Sequence, residues 1–271
     1  MFATTETDMT NSPAAMTPLL GRAGALPPVP ASVGQTFTLQ AAAQAFRMMD
    51  ELLDITCFDG PAGTGKTTAC AYAAAQSKRK WRYCVLPLRA HPRDLIATVY
   101  EAVFQRPAGG TERLMSTTLV DRLCDGDIGL IADEVHHVGL QGAQQLRYLW
   151  DAAATRDTPF PLLLVGCDVR RELARAEEVR GRIARWVSFD LISDVEDVIA
   201  IAGAQHPRLA LTDPKIIQKM NERIARRSIR AWHQIGKHIR FLPDSTSANK
   251  ATGLTRDDVR LLRSMLGTDI A

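Results

Sequence analysis

The sequence predicts an α/β protein built on a parallel β-sheet that is covered by helices on both faces, followed by a small C-terminal helical lid. Short apolar stretches alternate with helical patterns along most of the chain, an order that is typical of a parallel sheet with helical crossovers. The predicted strands are 55–58, 83–86, 128–132, 162–165 and 186–189. Beyond Ser193 the strand patterns stop, and the lid helices are predicted near 194–205, 214–226 and 228–240.

Composition and periodicity divide the chain into four predicted segments. Residues 1–34 are rich in Thr, Pro, Ala and Met without a helix or strand period, which predicts a flexible N-terminal arm. The α/β domain is predicted over 35–192 and the lid over 193–242. The C-terminal tail, 243–271, begins as a linker and continues as a short amphipathic piece. Two interpretations of that piece stay open: it docks on a neighbouring molecule, or it packs on its own lid.

The length and the composition of the chain fit one α/β domain with a small additional segment. The chain has 271 residues, of which 46% are apolar and 23% charged, enough to bury a full core. The formal net charge of +3 permits contact with nucleic acid but is equally normal for a metabolic enzyme. Five cysteines without a CxxC pair favour reduced thiols over a structural zinc site. The sequence lacks a leader-like N-terminus and a long apolar run, which predicts a cytoplasmic protein without a membrane partner.

A glycine-rich segment between the first predicted strand and the next helix matches the pattern G-x-x-x-x-G-K-[ST]. Its glycines let the backbone curl around a phosphate, so that N–H groups and the following helix N-terminus face the anion. Lys66 is predicted to reach the β- and γ-phosphates of ATP, and Thr67 to bind Mg²⁺ through its hydroxyl. The residues predicted to bind the nucleotide are Gly60, Pro61, Ala62, Gly63, Thr64, Gly65, Lys66, Thr67 and Thr68.

Two adjacent acids follow the third predicted strand. Residues 129–132 are small or apolar and lead into Asp133 and Glu134, a pattern typical of a buried strand that delivers carboxylates to the carboxyl edge of the sheet. Asp133 is predicted to hold the water shell of Mg²⁺, so the predicted metal site consists of Thr67 and Asp133. Glu134 is predicted to orient and deprotonate the attacking water. This second acid favours hydrolysis over transfer to a small molecule.

Other polar residues near this edge have less specific patterns. Cys167 and Asp168 follow the fourth predicted strand, where a polar side chain would sense the water near the γ-phosphate. A core position is the alternative for Cys167. His136 and His137 are interpreted as loop residues and not as a metal site, because adjacent residues on an extended chain point apart.

Basic residues cluster in three places. In an oligomer, an arginine of the segment 180–185 would stabilise transition-state charge at a neighbour's γ-phosphate. In the lid, Arg230 is preferred over Arg227 as the arginine that folds back onto the phosphates of the nucleotide. The other lid cations and a cluster around the second strand would bind duplex DNA through its phosphates, without reading sequence. A solvated basic face is the alternative for each cluster. The other two clusters are Lys215, Lys219, Arg223, Arg226, Arg227, Arg230, Lys237 and Arg240 in the lid, and Lys78, Arg79, Lys80, Arg82, Arg89 and Arg93 around the strand.

Four segments carry a resemblance to a known family. They are Gly-Pro-Ala-Gly-Thr-Gly-Lys-Thr-Thr, Leu-Ile-Ala-Asp-Glu-Val-His-His, Leu-Leu-Val-Gly and Arg-Gly-Arg-Ile. The set resembles the AAA+ ATPases of DNA transposition, the MuB, TniB and TnsC group, and their secretion-associated relative ExeA. The resemblance covers about residues 38–240 and implies a P-loop NTPase fold of the AAA+ type, with an ASCE-type parallel sheet. It also implies ATP-dependent rings or helical filaments on duplex DNA that select a target and recruit and stimulate a transposase.

The resemblance assigns roles to individual residues as well. Arg182 matches the arginine that acts in trans in that family, and Arg230 matches the lid arginine. The sensing position departs from the family, because Cys167 stands where Ser, Thr or Asn is usual. Two alternatives to transposition remain: a helicase loader that acts on single strands, and a signalling or secretion ATPase that does not bind DNA.

Overall fold

A parallel sheet forms the centre of the protein. The computed structural model describes residues 24–243 and 252–267. The strands in those residues are β1 (Ile55–Asp59), β2 (Lys80–Val85), β3 (Ile128–Asp133), β4 (Leu162–Gly166) and β5 (Ile183–Ser188). All neighbouring pairs are parallel, and the order across the sheet is β2-β3-β4-β1-β5. The predicted parallel sheet is confirmed, and the carboxyl ends of its strands lie along one edge.

The two edge strands begin earlier than the sequence pattern predicts. β2 begins at Lys80 instead of residue 83, and β5 begins at Ile183 instead of residue 186. Each has one neighbouring strand in the sheet, so it carries exposed and half-buried residues and lacks the continuous apolar run of a central strand. The three central strands are buried almost throughout and begin where predicted.

Helices cover both faces of the sheet. They are α1 (Phe37–Leu52), α2 (Lys66–Ala74), α3 (Pro92–Phe104), α4 (Glu112–Leu123), α5 (Gly139–Ala154), α6 (Val169–Glu172) and α7 (Glu177–Arg180). On one face, Phe46 of α1 and Cys70 of α2 share a core with the sheet. On the other, Leu95 of α3, Leu119 of α4 and Leu146 of α5 do so. No helix within the described ranges is both long and apolar enough to cross a membrane.

The C-terminal helices enclose a core of their own. They are α8 (Val195–Gln205), α9 (Pro207–Ala210), α10 (Pro214–Arg223), α11 (Ile229–Ile239) and α12 (Arg256–Met265). Trp232 is fully buried there, and its indole Nε1 donates a hydrogen bond to Asn221 Oδ1 at 3.0 Å. Asn221 Nδ2 donates in turn to the Ile192 carbonyl at 3.0 Å. This chain of bonds ties the lid core to the segment that leaves β5.

The amphipathic piece of the tail forms α12 and packs on the lid of the same chain. Leu254 and Leu262 are buried in the lid core. Arg208 Nη2 donates to Asp258 Oδ2 at 3.0 Å, and Thr255 and Asp258 cap the start of α12 reciprocally. Of the two interpretations that the sequence leaves open, the structure has the second.

Part of the predicted N-terminal arm packs on the α/β domain. The N–H of Tyr83 donates to the Gly24 carbonyl at 3.2 Å, and a Cβ at Gly24 would lie 2.1 Å from the Ala102 carbonyl oxygen. Val33 packs on the core beneath α1 and α2. Close backbone contacts of this kind do not require apolar residues at helix or strand spacing. The sequence pattern therefore did not indicate them. Residues 1–23 of the predicted arm lie outside the described residues.

Candidate nucleotide-binding and hydrolysis site

A cleft of about 520 Å³ opens at the carboxyl edge of the sheet, beside the lid. Its floor is the glycine-rich loop 60–65, which joins β1 to α2. Gly63 has a φ of +81°, which side chains other than glycine rarely adopt, and a Cβ at Gly60 would lie 2.0 Å from the Phe189 carbonyl oxygen. The loop is thereby curled tightly ahead of α2. The first N–H groups of that helix have no partner within the helix and form an anion site.

Lys66, the first residue of α2, holds its ammonium group inside the loop. Lys66 Nζ donates to the Gly60 carbonyl at 2.6 Å and to the Pro61 carbonyl at 2.7 Å. It also lies 3.7 Å from Cys167 Sγ, and the whole residue is only 8% exposed. A buried cation of this kind is stabilised by an anion, and the loop N–H groups supply the other half of a phosphate site.

The Thr67 hydroxyl and the Asp133 carboxylate meet beside the loop. Thr67 Oγ1 donates to Asp133 Oδ2 at 3.0 Å, and the backbone N–H of Glu134 donates to Asp133 Oδ1 at 2.7 Å. Asp133 is 4% exposed, so its charge needs partners. Hard oxygen donors suit Mg²⁺, and this pair fits the ion. Thr67 and Asp133 are the residues that would hold it.

Glu134 reaches the cleft from a left-handed backbone conformation, with φ at +61°. Its Oε2 lies 3.3 Å from His136 Nδ1, and that nitrogen accepts a hydrogen bond from the Cys167 N–H at 3.2 Å. The sequence treated His136 and His137 as residues of an extended chain that point apart. They instead form a 3₁₀ turn with Val135, their rings stand 4.5 Å apart, and His137 Nδ1 contacts the Leu86 carbonyl at 3.1 Å.

Cys167 lines the cleft and is half-buried, so it is not a core residue. Its neighbour Asp168 is largely exposed and lies 3.7 Å from Arg171, away from the lining of the cleft. Of the two candidates for the sensing position, only Cys167 lines the cleft. A thiol is a weak hydrogen-bond partner, so it positions a water less firmly than a hydroxyl or an amide does.

The lid contacts the glycine-rich loop directly. The backbone N–H of Arg230 donates to the Gly63 carbonyl at 3.2 Å, and the Ser228 hydroxyl donates to the same oxygen at 3.4 Å. Arg230 lines the cleft, whereas Arg227 does not. The structure thus brings the preferred lid arginine to the loop, and Ser228 is a lid contact that the sequence did not indicate.

Known proteins have a similar fold. Residues 53–173 match a family model described as an AAA domain. The RuvB Holliday junction branch migration motor of Thermotoga maritima has a similar structure, with a TM-score of 0.56, 16% identity, and coverage of 86% of this chain and 70% of that one. The chain has the AAA+ P-loop fold. The family match and this AAA+ fold together support an ATPase.

Two variants of the same RuvB protein are similar to this chain as well. One, with a threonine replaced by valine, gives a TM-score of 0.54 at 19% identity and covers 84% of this chain and 66% of that one. The other, with a proline replaced by glycine, gives a TM-score of 0.54 at 20% identity and covers 85% of this chain and 68% of that one. This chain therefore spans about two thirds of the RuvB structures. No curated protein sequence matches it.

Arg182 lies outside the cleft of its own chain. Its side chain is 53% exposed, and its Nε donates to Asp151 Oδ1 on α5 at 2.8 Å. Arg180, two residues earlier, is also exposed and donates to the Ala174 carbonyl. The structure does not bring Arg182 to the other predicted site residues, so any contact between it and a nucleotide requires a second subunit.

Tyr83 is a site residue that the sequence missed, because it falls within a predicted strand. Its phenol donates to Asp133 Oδ2 at 2.7 Å, the same oxygen that Thr67 contacts. Burial, and then the charge and hydrogen bond of Asp133, raise the pKa of the Tyr83 phenol above its ordinary range. The phenol therefore keeps its proton and remains a donor that fixes the carboxylate.

Replacing Tyr83 with phenylalanine should raise the Mg²⁺ concentration needed for half-maximal ATPase activity about 10- to 100-fold, as expected for an outer partner of a metal ligand. The turnover rate at saturating Mg²⁺ should stay close to that of the unchanged protein, because Tyr83 acts through Asp133. Titrating Mg²⁺ at fixed ATP measures both quantities. Tyr148→Phe, which alters an exposed phenol on α5, is the control. An unchanged Mg²⁺ requirement in Tyr83→Phe would refute the positioning role.

The segment before α1 forms another wall of the cleft that the sequence missed. Val33, Gly34 and Thr36 line it together with Ile201 and Gln205 of the lid. This wall lies next to the loop and is partly apolar, so a nucleotide with its phosphates on the loop would place its base here. The sequence assigned residues up to 34 to a flexible arm and therefore gave this stretch no role.

Proposed function

We propose that this protein is a Mg²⁺-dependent ATPase that oligomerises on duplex DNA and regulates transposition, by selecting the target and by recruiting and stimulating a transposase. The observation that carries the ATPase part is the meeting of Lys66, Asp133 and Glu134 in one cleft. The DNA part is supported by the charge of the lid. The transposition part is supported by the sequence resemblance.

The residues of the cleft have different roles in hydrolysis. The loop N–H groups and the Lys66 ammonium bind the β- and γ-phosphates. When bound, Mg²⁺ supplies positive charge that neutralises the phosphate oxygens. Glu134 orients the attacking water and takes its proton.

Arg182 and Arg230 complete the proposed site from two directions. Arg230 belongs to the lid, and its backbone N–H is hydrogen-bonded to the glycine-rich loop. Its guanidinium binds the phosphates. Arg182 comes from a neighbouring subunit and stabilises the charge that builds up in the transition state. Hydrolysis is thereby coupled to assembly, and ATP-bound rings or filaments are the active form.

The lid carries a strongly basic surface that supports DNA binding. Residues 215–240 contain eight exposed cations and one acid, Glu222, and within the described residues none of the eight forms an ion pair with another side chain. Unpaired surface cations bind a DNA backbone by releasing its counterions. The eight are Lys215, Lys219, Arg223, Arg226, Arg227, Arg230, Lys237 and Arg240, and all except Arg230, which is assigned to the nucleotide, are proposed to contact DNA. Phosphate contacts of this kind carry no sequence preference.

Sedimentation and imaging of the protein with duplex DNA, in ATP, in ADP and without nucleotide, test the proposal. Rings or filaments on duplex DNA in ATP alone are the expected result. Indifference to DNA at low salt would refute the DNA part and favour a signalling or secretion ATPase. Preference for single strands would favour a helicase loader. If a transposase gene lies next to the gene for this protein, strand transfer by that transposase should rise when the ATP-bound protein is added.

Three lid cations offer a sharper test of the DNA surface. Lys215, Lys219 and Arg223 follow one another at four-residue spacing on α10, so they share one face of that helix. Replacing all three with alanine should weaken duplex binding for every sequence and reduce the slope of log K against log salt by about 0.9 per lost phosphate contact.

The control for that variant is Arg156→Ala, which removes an exposed arginine that is paired with Asp121 on the α/β domain. Fluorescence anisotropy of labelled duplexes at several salt concentrations measures both variants. If the triple variant keeps the slope of the unchanged protein, α10 does not contact DNA.

A further inference from the structure

Three side chains with different metal-binding chemistry meet next to the glycine-rich loop. They are the Glu134 carboxylate, the His136 imidazole and the Cys167 thiol, and one ligand atom from each lies within 4.8 Å of the other two. All three are half-buried. Glu134 and Cys167 also line the cleft, so a bound ion would be reached from it.

The hydrogen bond of His136 indicates an Nδ1 atom without a proton, the form in which a histidine binds a metal ion. His136 Nδ1 accepts the Cys167 N–H at 3.2 Å, so this nitrogen carries no proton, and a metal ion that binds to it would replace that hydrogen bond. The same nitrogen stands 3.3 Å from Glu134 Oε2. Two electron-rich atoms then face each other, and a cation between them converts this repulsion into attraction.

The donor set selects the kind of cation. Nitrogen, sulfur and carboxylate oxygen together suit Zn²⁺, whereas Mg²⁺ and Ca²⁺ prefer oxygen alone. Ligand atoms on a tetrahedral Zn²⁺ stand about 2.0–2.3 Å from the metal, so the three groups need to approach one another by only about 1 Å. Three protein ligands leave the fourth position of a tetrahedral Zn²⁺ to a water molecule.

We propose that Glu134, His136 and Cys167 bind Zn²⁺, and that Zn²⁺ bound there stops ATP hydrolysis by occupying the Glu134 carboxylate. On binding, the Cys167 thiol loses its proton to solvent, and the contact between Cys167 Sγ and Lys66 Nζ is given up. Lys66 keeps its two bonds to loop carbonyls, so the glycine-rich loop stays in place. The inhibitory role rests on the proposed ATPase function, whereas the metal site does not.

Binding is tested on the full chain without nucleotide, with Co²⁺ as a coloured stand-in for Zn²⁺. A thiolate-to-cobalt absorption band should appear on titration and should disappear when Zn²⁺ is added. Cys167→Ser should remove this band. It should also weaken Co²⁺ binding by at least about tenfold, because even the loss of a residue that only supports a metal ligand weakens metal binding by that factor or more. His136→Ala should weaken binding as well.

The matched control is Cys124→Ser, which changes another half-buried free thiol, at the end of α4. This variant should keep the band, and thermal unfolding of each variant without metal checks that the fold is retained. An absent band in the unchanged protein, or a band that survives in Cys167→Ser, would overturn the site.

Inhibition is tested by ATPase assays in excess Mg²⁺ and ATP, with and without Zn²⁺, as a ratio within each variant. The unchanged protein and Cys124→Ser should lose activity with Zn²⁺ and regain it with a chelator selective for Zn²⁺. In Zn²⁺, Cys167→Ser should keep a larger fraction of its metal-free activity than the unchanged protein and Cys124→Ser do. Equal loss in both cysteine variants would overturn the inhibitory role. A protein that shows the cobalt band and never hydrolyses ATP would refute the proposed function and leave the metal site standing.

Discussion

Replacing Glu134 with glutamine should slow ATP hydrolysis by about 10²- to 10⁴-fold, the contribution typical of a general base. The amide keeps the size of the side chain but cannot take a proton from water. ATP binding should be retained, because the loop, Lys66 and the Thr67–Asp133 pair are untouched. The variant should therefore accumulate as an ATP-bound oligomer. Steady-state phosphate release and retention of labelled ATP measure the two effects separately.

Glu178→Gln is the matched control for that variant. Glu178 is an exposed acid of α7 whose carboxylate accepts a hydrogen bond from Gln144, so the same change there should leave turnover as it is. If Glu134→Gln hydrolyses ATP at the full rate, Glu134 is not the base. If it loses ATP binding as well, the cleft depends on Glu134 in a way that the geometry does not explain.

Replacing Arg182 with alanine should slow turnover steeply in assembled protein and leave isolated subunits unchanged. In GTPases an arginine supplied by a partner contributes about 10³- to 10⁵-fold in rate, which sets the upper range expected here. The reason for the dependence on assembly is that Arg182 is exposed and paired with Asp151, outside the cleft of its own chain. Turnover measured across protein concentration, with and without duplex DNA, separates the two states.

Mixing the two inactive variants tests the trans arrangement more directly. At some interfaces in such a mixture, the intact cleft of an Arg182→Ala subunit meets the intact Arg182 of a Glu134→Gln subunit, so activity should reappear. Arg180→Ala, which removes an exposed arginine in the same segment, is the control. Slowing of isolated subunits by Arg182→Ala to the same degree as of assemblies, or a mixture that stays inactive, would refute the role in trans.

The parts of the fold and site that could be predicted are those that depend on short local sequence patterns. The strand ending at Asp133 is buried throughout, and a glycine-rich stretch between a strand and a helix has few alternative structures. Parallel strands end at one edge of a sheet, so the proximity of Thr67 and Asp133 follows from their positions after successive elements. The lid was predicted because strand patterns stop after Ser193 while helical spacing continues.

The features that escaped prediction depend on contacts between residues far apart in sequence. Tyr83 reaches Asp133 across neighbouring strands, and no pattern around Tyr83 distinguishes it from a core residue. Gly24 is held by a backbone bond to Tyr83, which leaves no period in the sequence. His136 joins Glu134 and Cys167 because the chain turns in a 3₁₀ helix, where an extended chain had been assumed.

Binding of Mg²⁺ and ATP to the unchanged protein and to Lys66→Ala is the most direct test of the central claim, that the glycine-rich loop and Asp133 enclose one Mg²⁺-bound nucleotide. The loss of charged hydrogen bonds to phosphate, about 1.5–3 kcal/mol, predicts binding weaker by about 10- to 150-fold in the variant. Lys78→Ala, at an exposed lysine before β2, should bind normally, and thermal unfolding checks the fold of all three. Calorimetry that finds no binding to the unchanged protein, or equal binding to Lys66→Ala, would contradict the claim.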